Sequence, residues 1–212
     1  MLFTSLAILN LPLLKQIHLN DFKHYTLNLK QIDKTWTLFL DRDGVINEEI
    51  KGSYVLHRGE FIFYENTKQA LQILAEVFGI IVMVTNQKGV GKGLMSLADL
   101  EDIHLYMMEG ITGAGGRIDK VFFCTDLDDN SINRKPNHGM ALQAKELYPQ
   151  IDFNKTIIVG NKPSDMQFGR YAGMFTVYIA TTDPETAFPH ELIDARFETL
   201  YEFASQWKTT NQ

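Results

Sequence analysis

Between residues 37 and 46 the chain reads Thr37-Leu38-Phe39-Leu40-Asp41-Arg42-Asp43-Gly44-Val45-Ile46. The short apolar run at its start is typical of a buried strand. Two aspartates one residue apart follow it, and Gly44 permits a sharp turn that can direct Asp41 and Asp43 into one small volume. Carboxylates that close repel each other, so the pair needs a shared proton or a cation such as Mg²⁺. Such a pair suits phosphoryl transfer through an aspartyl-phosphate, and a strand that simply ends in a polar turn is the alternative.

Length and composition indicate one globular domain. At 212 residues the chain is long enough for a substantial core. Its net charge of −6, without a basic cluster, argues against a nucleic-acid partner. The single cysteine, Cys124, excludes an internal disulfide, so we expect a reducing, cytoplasmic location. No apolar run approaches the length that spans a bilayer, so we expect no membrane partner; the oligomeric state stays open.

Residues 1–35 are predicted to form an N-terminal extension before a domain that spans residues 36–207. The segment Met1–Leu14 is apolar, but it lacks the basic start and the small-residue cleavage site of a secretion signal. The residues from Lys15 to Lys34 are mixed and polar. An extension packed on the domain, or a partly ordered leader, therefore explains this segment better than a signal peptide does.

Apolar runs of strand length alternate with helical patterns along the rest of the chain. We predict strands at residues 37–40, 80–84, 120–124, 156–159 and 176–179. Helices are predicted at 66–78, at 97–108 with Ser96 and Asp99 in a capping box, at 136–147, before 172 and at 191–207. This alternation predicts an α/β fold, a Rossmann-like, doubly wound parallel sheet covered by helices on both faces.

Polar residues follow three of the predicted strands, and a basic pair precedes a helix. Ligands of parallel sheets bind at the carboxyl ends of the strands, so we expect these residues to gather at one edge. A phosphoryl-transfer site needs a nucleophile, donors to phosphoryl oxygens, a positive charge and metal ligands. All of these chemical types are present in Asp41, Asp43, Thr85, Asn86, Arg134, Lys135, Asn161 and Asp165.

Four motifs occur in the order found in the haloacid dehalogenase superfamily, which the chain resembles over residues 36–203. They read Asp41-Arg42-Asp43-Gly44, Val84-Thr85-Asn86-Gln87, Arg134-Lys135-Pro136 and Gly160-Asn161-Lys162-Pro163-Ser164-Asp165-Met166. The resemblance is greatest to the capless branch that contains D,D-heptose 1,7-bisphosphate phosphatases and the histidinol-phosphate phosphatase domain. It implies a Mg²⁺-dependent phosphatase with a haloacid-dehalogenase-like sheet and no large cap domain.

The resemblance also implies roles for the two aspartates and for the metal ligands. Asp41 would attack phosphorus, and Asp43 would act first as general acid and then as general base. Mg²⁺ would be held by Asp41, by the backbone carbonyl of Asp43, and by Asn161 and Asp165 of the fourth motif.

Substrate contacts are implied for the second and third motifs. Thr85 would donate its hydroxyl to the phosphoryl group, with Asn86 beside it. Lys135 would neutralise charge on that group and on Asp41, a task for which a compact ammonium is suited. Arg134 would either reach a distal part of the substrate, such as a second phosphate, or lie solvated in its loop.

Two departures from the family pattern concern metals. Asn161 stands where the family usually has aspartate, and asparagine can bind Mg²⁺ through its carbonyl oxygen without adding charge. We therefore expect weaker or altered metal binding, with a phosphate-binding protein that lacks turnover as the alternative. Many relatives also carry Cys-x-His and Cys-x-Cys before Arg-Lys-Pro, but only Cys124 remains here, so a structural Zn²⁺ is not expected. The loop 125–133 must then be held by hydrogen bonds or stay mobile.

The predicted substrate is a small phosphorylated molecule. Because no interval between the motifs can hold a large cap, the loops 47–60, 88–94 and 125–133 must shape access. By resemblance a heptose 1,7-bisphosphate is the first choice, and histidinol phosphate is the alternative. A receiver-like signalling domain also phosphorylates an aspartate, but it would not need Asp43 as an acid–base group.

Overall fold

The computed structural model describes residues 27–208, and what was predicted for residues 1–26 lies outside them. The strands are β1 (Thr37–Leu40), β2 (Ile80–Asn86), β3 (Lys120–Cys124), β4 (Thr156–Gly160), β5 (Phe175–Ile179) and β6 (Ala195–Phe197). The helices are α1 (Thr67–Val77), α2 (Lys88–Gly91), α3 (Leu97–Gly113), α4 (Gly139–Leu147), α5 (Pro163–Ala172) and α6 (Leu200–Ala204). The strands form one parallel sheet in the order β3-β2-β1-β4-β5-β6.

The side chains of β1 explain why both faces of the sheet are covered. Leu38 and Leu40 belong to the apolar cluster that includes residues of α1, α3 and α6, while Phe39 belongs to the cluster that includes residues of α4 and α5. Successive side chains of a strand point to opposite faces, so a wholly apolar strand needs a core on each side. The predicted α/β fold with a doubly wound parallel sheet is confirmed, and no large cap domain interrupts residues 27–208.

The helix predicted over residues 191–207 is wrong. This region contains the edge strand β6, the short helix α6 and a 3₁₀ turn at Ser205–Trp207. β6 pairs with β5, where Ala195 lies opposite Val177. Three half-buried strand residues are too few to show an alternating pattern, so the pairing with β5 decides the structure of this segment.

Local sequence signals locate the start of α3 but not that of α4. The capping box of α3 is confirmed, because the Ser96 hydroxyl accepts from the Asp99 N–H at 3.1 Å and the Asp99 carboxylate accepts from the Ser96 N–H at 2.8 Å. The helix predicted from residue 136 begins instead at Gly139.

No helix within residues 27–208 combines the length and the apolar character needed to cross a membrane.

The described residues before β1 pack against the domain. Ile32 is buried in the core, Leu27 and Leu29 pack on it, and Trp207 Nε1 donates to the Leu29 carbonyl at 3.1 Å. The domain boundary at residue 36 stays a prediction, but the packing of the chain on the core extends at least to Leu27.

The close approach of α5 to the sheet can be tested at Gly169. A Cβ atom there would lie 2.4 Å from Ile158 Cγ2 and 2.7 Å from Thr176 Cγ2, so Gly169→Ala should lower the free energy of unfolding by about 1–3 kcal/mol. Gly113→Ala in the last turn of α3 meets nothing within 4 Å and should be neutral or stabilising. Urea unfolding of both variants checks this, and equal stabilities would show that α5 can move away from the sheet without cost.

Candidate active site

The carboxyl ends of β1, β2 and β4 bring predicted site residues to one edge of the sheet. Asp41 directly follows β1, and its N–H donates to the Val159 carbonyl of β4 at 2.9 Å. Asn86 is the last residue of β2, and Asn161 directly follows β4. Because β1 lies between β2 and β4, the sheet brings together residues that are far apart in the sequence, such as Asp41 and Asn161.

Lys135 is the buried cation around which this edge is arranged. Its Nζ lies 2.8 Å from Asp41 Oδ1 and 2.6 Å from Asp165 Oδ1, and it donates to the Val84 carbonyl at 2.8 Å. All three donors of the ammonium therefore have partners. Burial would lower the pKa of Lys135, but the carboxylates of Asp165 and Asp41 outweigh burial and raise it. Lys135 is thus held as a cation beside Asp41.

Asn86 fixes the backbone of Lys135. Its amide oxygen accepts from the Lys135 N–H, and its amide nitrogen donates to the Lys135 carbonyl, each at 3.0 Å. Both polar atoms of Asn86 thus serve Lys135, although the prediction placed this side chain beside the phosphoryl group. The buried Thr85 hydroxyl accepts from Gln87 Nε2 at 2.9 Å, which leaves its own proton to donate.

Asp43 is surrounded by donors that the sequence did not single out. Arg42 Nη2 and Asn47 Nδ2 each donate to Asp43 Oδ1 at 3.0 Å, and Gln87 Nε2 donates to Asp43 Oδ2 at 3.1 Å. Burial would raise the pKa of Asp43, but the Arg42 guanidinium and these hydrogen bonds together lower it. Arg42 and Gln87 lie within the quoted motifs, whereas no spacing signal points to Asn47.

Arg42 connects Asp43 to a histidine of α3. Arg42 is 1% exposed, and its Nη1 lies 3.2 Å from Nε2 of His104, which is 8% exposed. Burial and the nearby guanidinium lower the pKa of His104 to about 3, against the opposing effect of Asp43. The imidazole is therefore neutral, and its Nε2 accepts from Arg42.

Oxygen atoms converge between Asp41, Asp43 and Asn161. One end of the buried Asn161 amide lies 3.3 Å from Asp41 Oδ2 and 3.1 Å from the Asp43 carbonyl oxygen. Burial raises the pKa of Asp41 to about 6, even though the Lys135 ammonium opposes the rise. The Asp41 carboxylate thus has less positive charge around it than it needs, and a divalent cation would supply that charge. The carboxylate, carbonyl and amide oxygens fit the predicted Mg²⁺ ligands.

Asp165 has its oxygens engaged elsewhere. Its Oδ1 contacts Lys135, and its Oδ2 accepts from the backbone N–H groups of Asn161 at 3.2 Å and Lys162 at 3.0 Å. Its place as a metal ligand stays a prediction, and in the structure it orients Lys135 and the start of α5. Among residues 27–208, no three His, Cys, Asp or Glu side chains cluster as metal ligands, since the site described above uses a backbone carbonyl and an asparagine.

Arg134 contacts the loop 125–133. Its Nε donates to Asp129 Oδ1 at 2.9 Å and its Nη1 donates to the Asp126 carbonyl at 3.4 Å. In the same loop the Ser131 hydroxyl donates to the Asp126 carboxylate. Hydrogen bonds therefore hold this loop, which was one of the two alternatives. The contact of Arg134 with substrate and the absence of a structural Zn²⁺ stay predictions.

An open cleft lies beside Asp43. Its walls are formed by Arg42, Asp43, Glu49, Ile50, Ser53, Tyr54, Val55, Asn86, Gln87 and Lys162. Half of these residues come from the segment 49–55, which lies in one of the loops predicted to shape access. Lys162 and Glu49 form an ion pair, with 2.6 Å between Lys162 Nζ and Glu49 Oε1. The cleft is therefore lined by positively charged, negatively charged and apolar side chains.

Sequence comparison identifies a matching family and similar proteins. A family model described as polynucleotide kinase 3 phosphatase matches residues 38–189. The D-glycero-alpha-D-manno-heptose-1,7-bisphosphate 7-phosphatase of Mycobacterium bovis is 34% identical over 170 residues, which cover 80% of this chain and 90% of that protein.

Solved structures with the same fold come from heptose bisphosphate phosphatases. That of B. bronchiseptica, complexed with magnesium and phosphate, has a TM-score of 0.73 and 29% identity, over 81% of this chain and 97% of its own. That of Burkholderia thailandensis has a TM-score of 0.58 and 27% identity, over the same shares, 81% and 97%.

The neutral state of His104 gives a prediction for acid stability. An unfolded histidine has a pKa of about 6.5, so the unfolded chain binds a proton at this residue below that pH. Folded His104 binds the proton only near pH 3. Stability from this group is therefore present above pH 6.5 and lost as the pH falls towards 3. His104→Gln keeps an acceptor for Arg42 and removes this titration. When the pH falls from about 7 to 4.5, the free energy of unfolding of the His104→Gln variant should decrease by roughly 2–3 kcal/mol less than that of the unaltered protein.

Urea unfolding at both pH values measures the difference. An identical acid response of His104→Gln and the unaltered protein would show that folded His104 accepts a proton.

Proposed function

This chain is a phosphatase that belongs to the polynucleotide kinase 3 phosphatase family within the haloacid dehalogenase superfamily, and we propose that it hydrolyses a small sugar phosphate through a phosphorylated Asp41. The observation that carries the proposal is the pair of environments given to Asp41 and Asp43. Asp41 lies against the buried Lys135 ammonium, while Asp43 lines the open cleft and is held by three donors. Two carboxylates in contrasting surroundings can take contrasting chemical roles.

In the first step Asp41 acts as the nucleophile. A bond forms between a carboxylate oxygen of Asp41 and phosphorus, while the bond from phosphorus to the substrate oxygen breaks. Asp43 is ionised in the free protein, and the negative charge of the bound phosphate favours its protonated form; protonated Asp43 gives its proton to the departing oxygen, so the alcohol leaves uncharged. Lys135 keeps its charge next to the carboxylate throughout and disperses negative charge from the phosphoryl group.

In the second step water releases the phosphate. Asp43, now ionised, takes a proton from a water molecule whose oxygen attacks phosphorus, and the bond to Asp41 breaks. Inorganic phosphate leaves and the Asp41 carboxylate is restored. The hydrogen bonds from Arg42, Asn47 and Gln87 favour the ionised form of Asp43, which suits this step.

Mg²⁺ is part of the proposal as a cofactor. It would be held by Asp41, the Asp43 carbonyl and the Asn161 amide oxygen, with Asp165 acting directly or through water. When bound it supplies positive charge to the Asp41 carboxylate and to the phosphoryl oxygens.

A heptose 1,7-bisphosphate is the proposed substrate. The relatives of this size are named for that activity, and they match this chain over four fifths of its length. The acidic chain, with its charge of −6, disfavours a polynucleotide, although the family model is described by that substrate. A cytoplasmic location belongs to the same proposal and rests on the single cysteine.

Asp41→Asn should abolish turnover while the fold is retained. The amide cannot attack phosphorus, so phosphate release should fall by at least about a thousandfold. Asp102→Asn on the exposed side of α3 is the matched control and should keep full activity. Substantial phosphate release by folded Asp41→Asn would remove Asp41 as the nucleophile.

A substrate panel tests the proposed class. It contains heptose and hexose bisphosphates, hexose monophosphates, histidinol phosphate and a 3′-phosphorylated oligonucleotide, each with and without Mg²⁺. We expect Mg²⁺-dependent phosphate release with the heptose bisphosphate preferred. Preference for the oligonucleotide would contradict the proposed sugar phosphate and indicate a polynucleotide substrate, as in the family description. No phosphate release from any compound would favour a phosphate-binding protein without turnover.

A further inference from the structure

We propose that Glu49 is a positioning residue that turns the Asn161 amide into the orientation that binds a cation, an inference that rests on the proposed Mg²⁺ site. Asn161 is 1% exposed and lies between two sets of oxygens. On one side are Asp41 and the Asp43 carbonyl; on the other are Glu49 and Thr182. The orientation of one buried amide therefore decides which set receives its N–H groups.

The inner side of Asn161 offers acceptors only. The inward end of the amide is 3.3 Å from Asp41 Oδ2 and 3.1 Å from the Asp43 carbonyl oxygen. An inward N–H₂ group would donate to both, whereas an inward oxygen would face two other oxygens. Without a cation the inner side thus favours nitrogen, and with a cation it favours oxygen.

The two partners on the outer side of Asn161 differ in their hydrogen-bonding capacity. The outward amide nitrogen donates to the Thr182 hydroxyl, and it donates to Glu49 Oε2 at 3.4 Å. A hydroxyl can accept or donate, so Thr182 serves both orientations of the amide. An ionised carboxylate can only accept, so Glu49 favours the nitrogen on the outer side and therefore the oxygen on the inner side.

Glu49 is well placed to hold this preference. Its Oε1 contacts Lys162 Nζ at 2.6 Å, which leaves Oε2 for Asn161. Its side chain is 21% exposed, so water competes for it only in part. Acceptors on both the inner and the outer side of Asn161 thus compete for its single N–H₂ group. A cation bound at the inner oxygens removes this competition, because the inner side then favours the amide oxygen. Glu49 should strengthen cation binding by making the inward N–H₂ orientation less favourable.

The test is Mg²⁺ binding to the substrate-free, full-length protein, measured by calorimetry and by the Mg²⁺-induced shift in melting temperature. Glu49→Ala should weaken Mg²⁺ binding by about tenfold, the effect of losing one hydrogen bond that favours the binding orientation. Glu49→Gln carries an amide that can accept or donate, so it should lose the preference and weaken Mg²⁺ binding much as Glu49→Ala does. Glu48→Ala removes an exposed negative charge from the neighbouring position and should not weaken binding.

A double-mutant cycle separates orientation from simple charge. Asn161→Asp has no N–H₂ group to orient, so adding Glu49→Ala to it should no longer weaken Mg²⁺ binding. A loss that persists in the Asn161→Asp background would overturn the orientation role and leave Glu49 as a distant negative charge. Unchanged affinity in Glu49→Ala would overturn it as well. Absence of Mg²⁺ binding by the unaltered protein would instead overturn the proposed metal site, and this inference with it.

Discussion

The Lys135 ammonium is the interaction on which the rest of the site depends. It is 3% exposed and joins three elements, because it contacts Asp41 after β1, the Val84 carbonyl of β2 and Asp165 of α5. A buried charge is tolerated only when its partners are in place, since an unpaired one costs several kcal/mol. The carboxyl ends of β1 and β2 are therefore tied to the start of α5. Asn86 completes the arrangement by holding the Lys135 backbone through both of its amide atoms.

Surroundings rather than residue type separate the two aspartates. Burial raises the pKa of Asp41 despite Lys135, whereas Arg42 and two amide donors lower the pKa of Asp43 despite burial. A carboxylate that needs more positive charge is suited to a site shared with a cation. One that is already surrounded by donors is held ionised and is suited to take a proton from water. In the proposed Mg²⁺ site Asn161 would add an oxygen ligand without adding a third negative charge between them.

The sequence predicts the fold well because its central strands contain unbroken apolar runs that are followed by polar residues. It predicts the location of the carboxylate pair and of Asn161 for the same reason, whereas Lys135 is predicted from the Arg-Lys-Pro motif. It could not predict β6, whose three residues are placed by pairing with β5. It also missed His104 and Asn47, since a hydrogen-bond partner reached through the fold leaves no spacing signal. The orientation of Asn161 depends on Glu49, which lies 112 residues away along the chain.

Trapping the intermediate is the most direct test of the account. The protein is mixed with a substrate that it turns over, quenched in acid within the first turnovers, digested with pepsin and examined by mass spectrometry. The account predicts one added phosphoryl group on the peptide that contains Asp41, and none on that peptide from Asp41→Asn. Turnover with no phosphorylated peptide, or with the phosphoryl group on another residue, would contradict the role of Asp41 as the nucleophile.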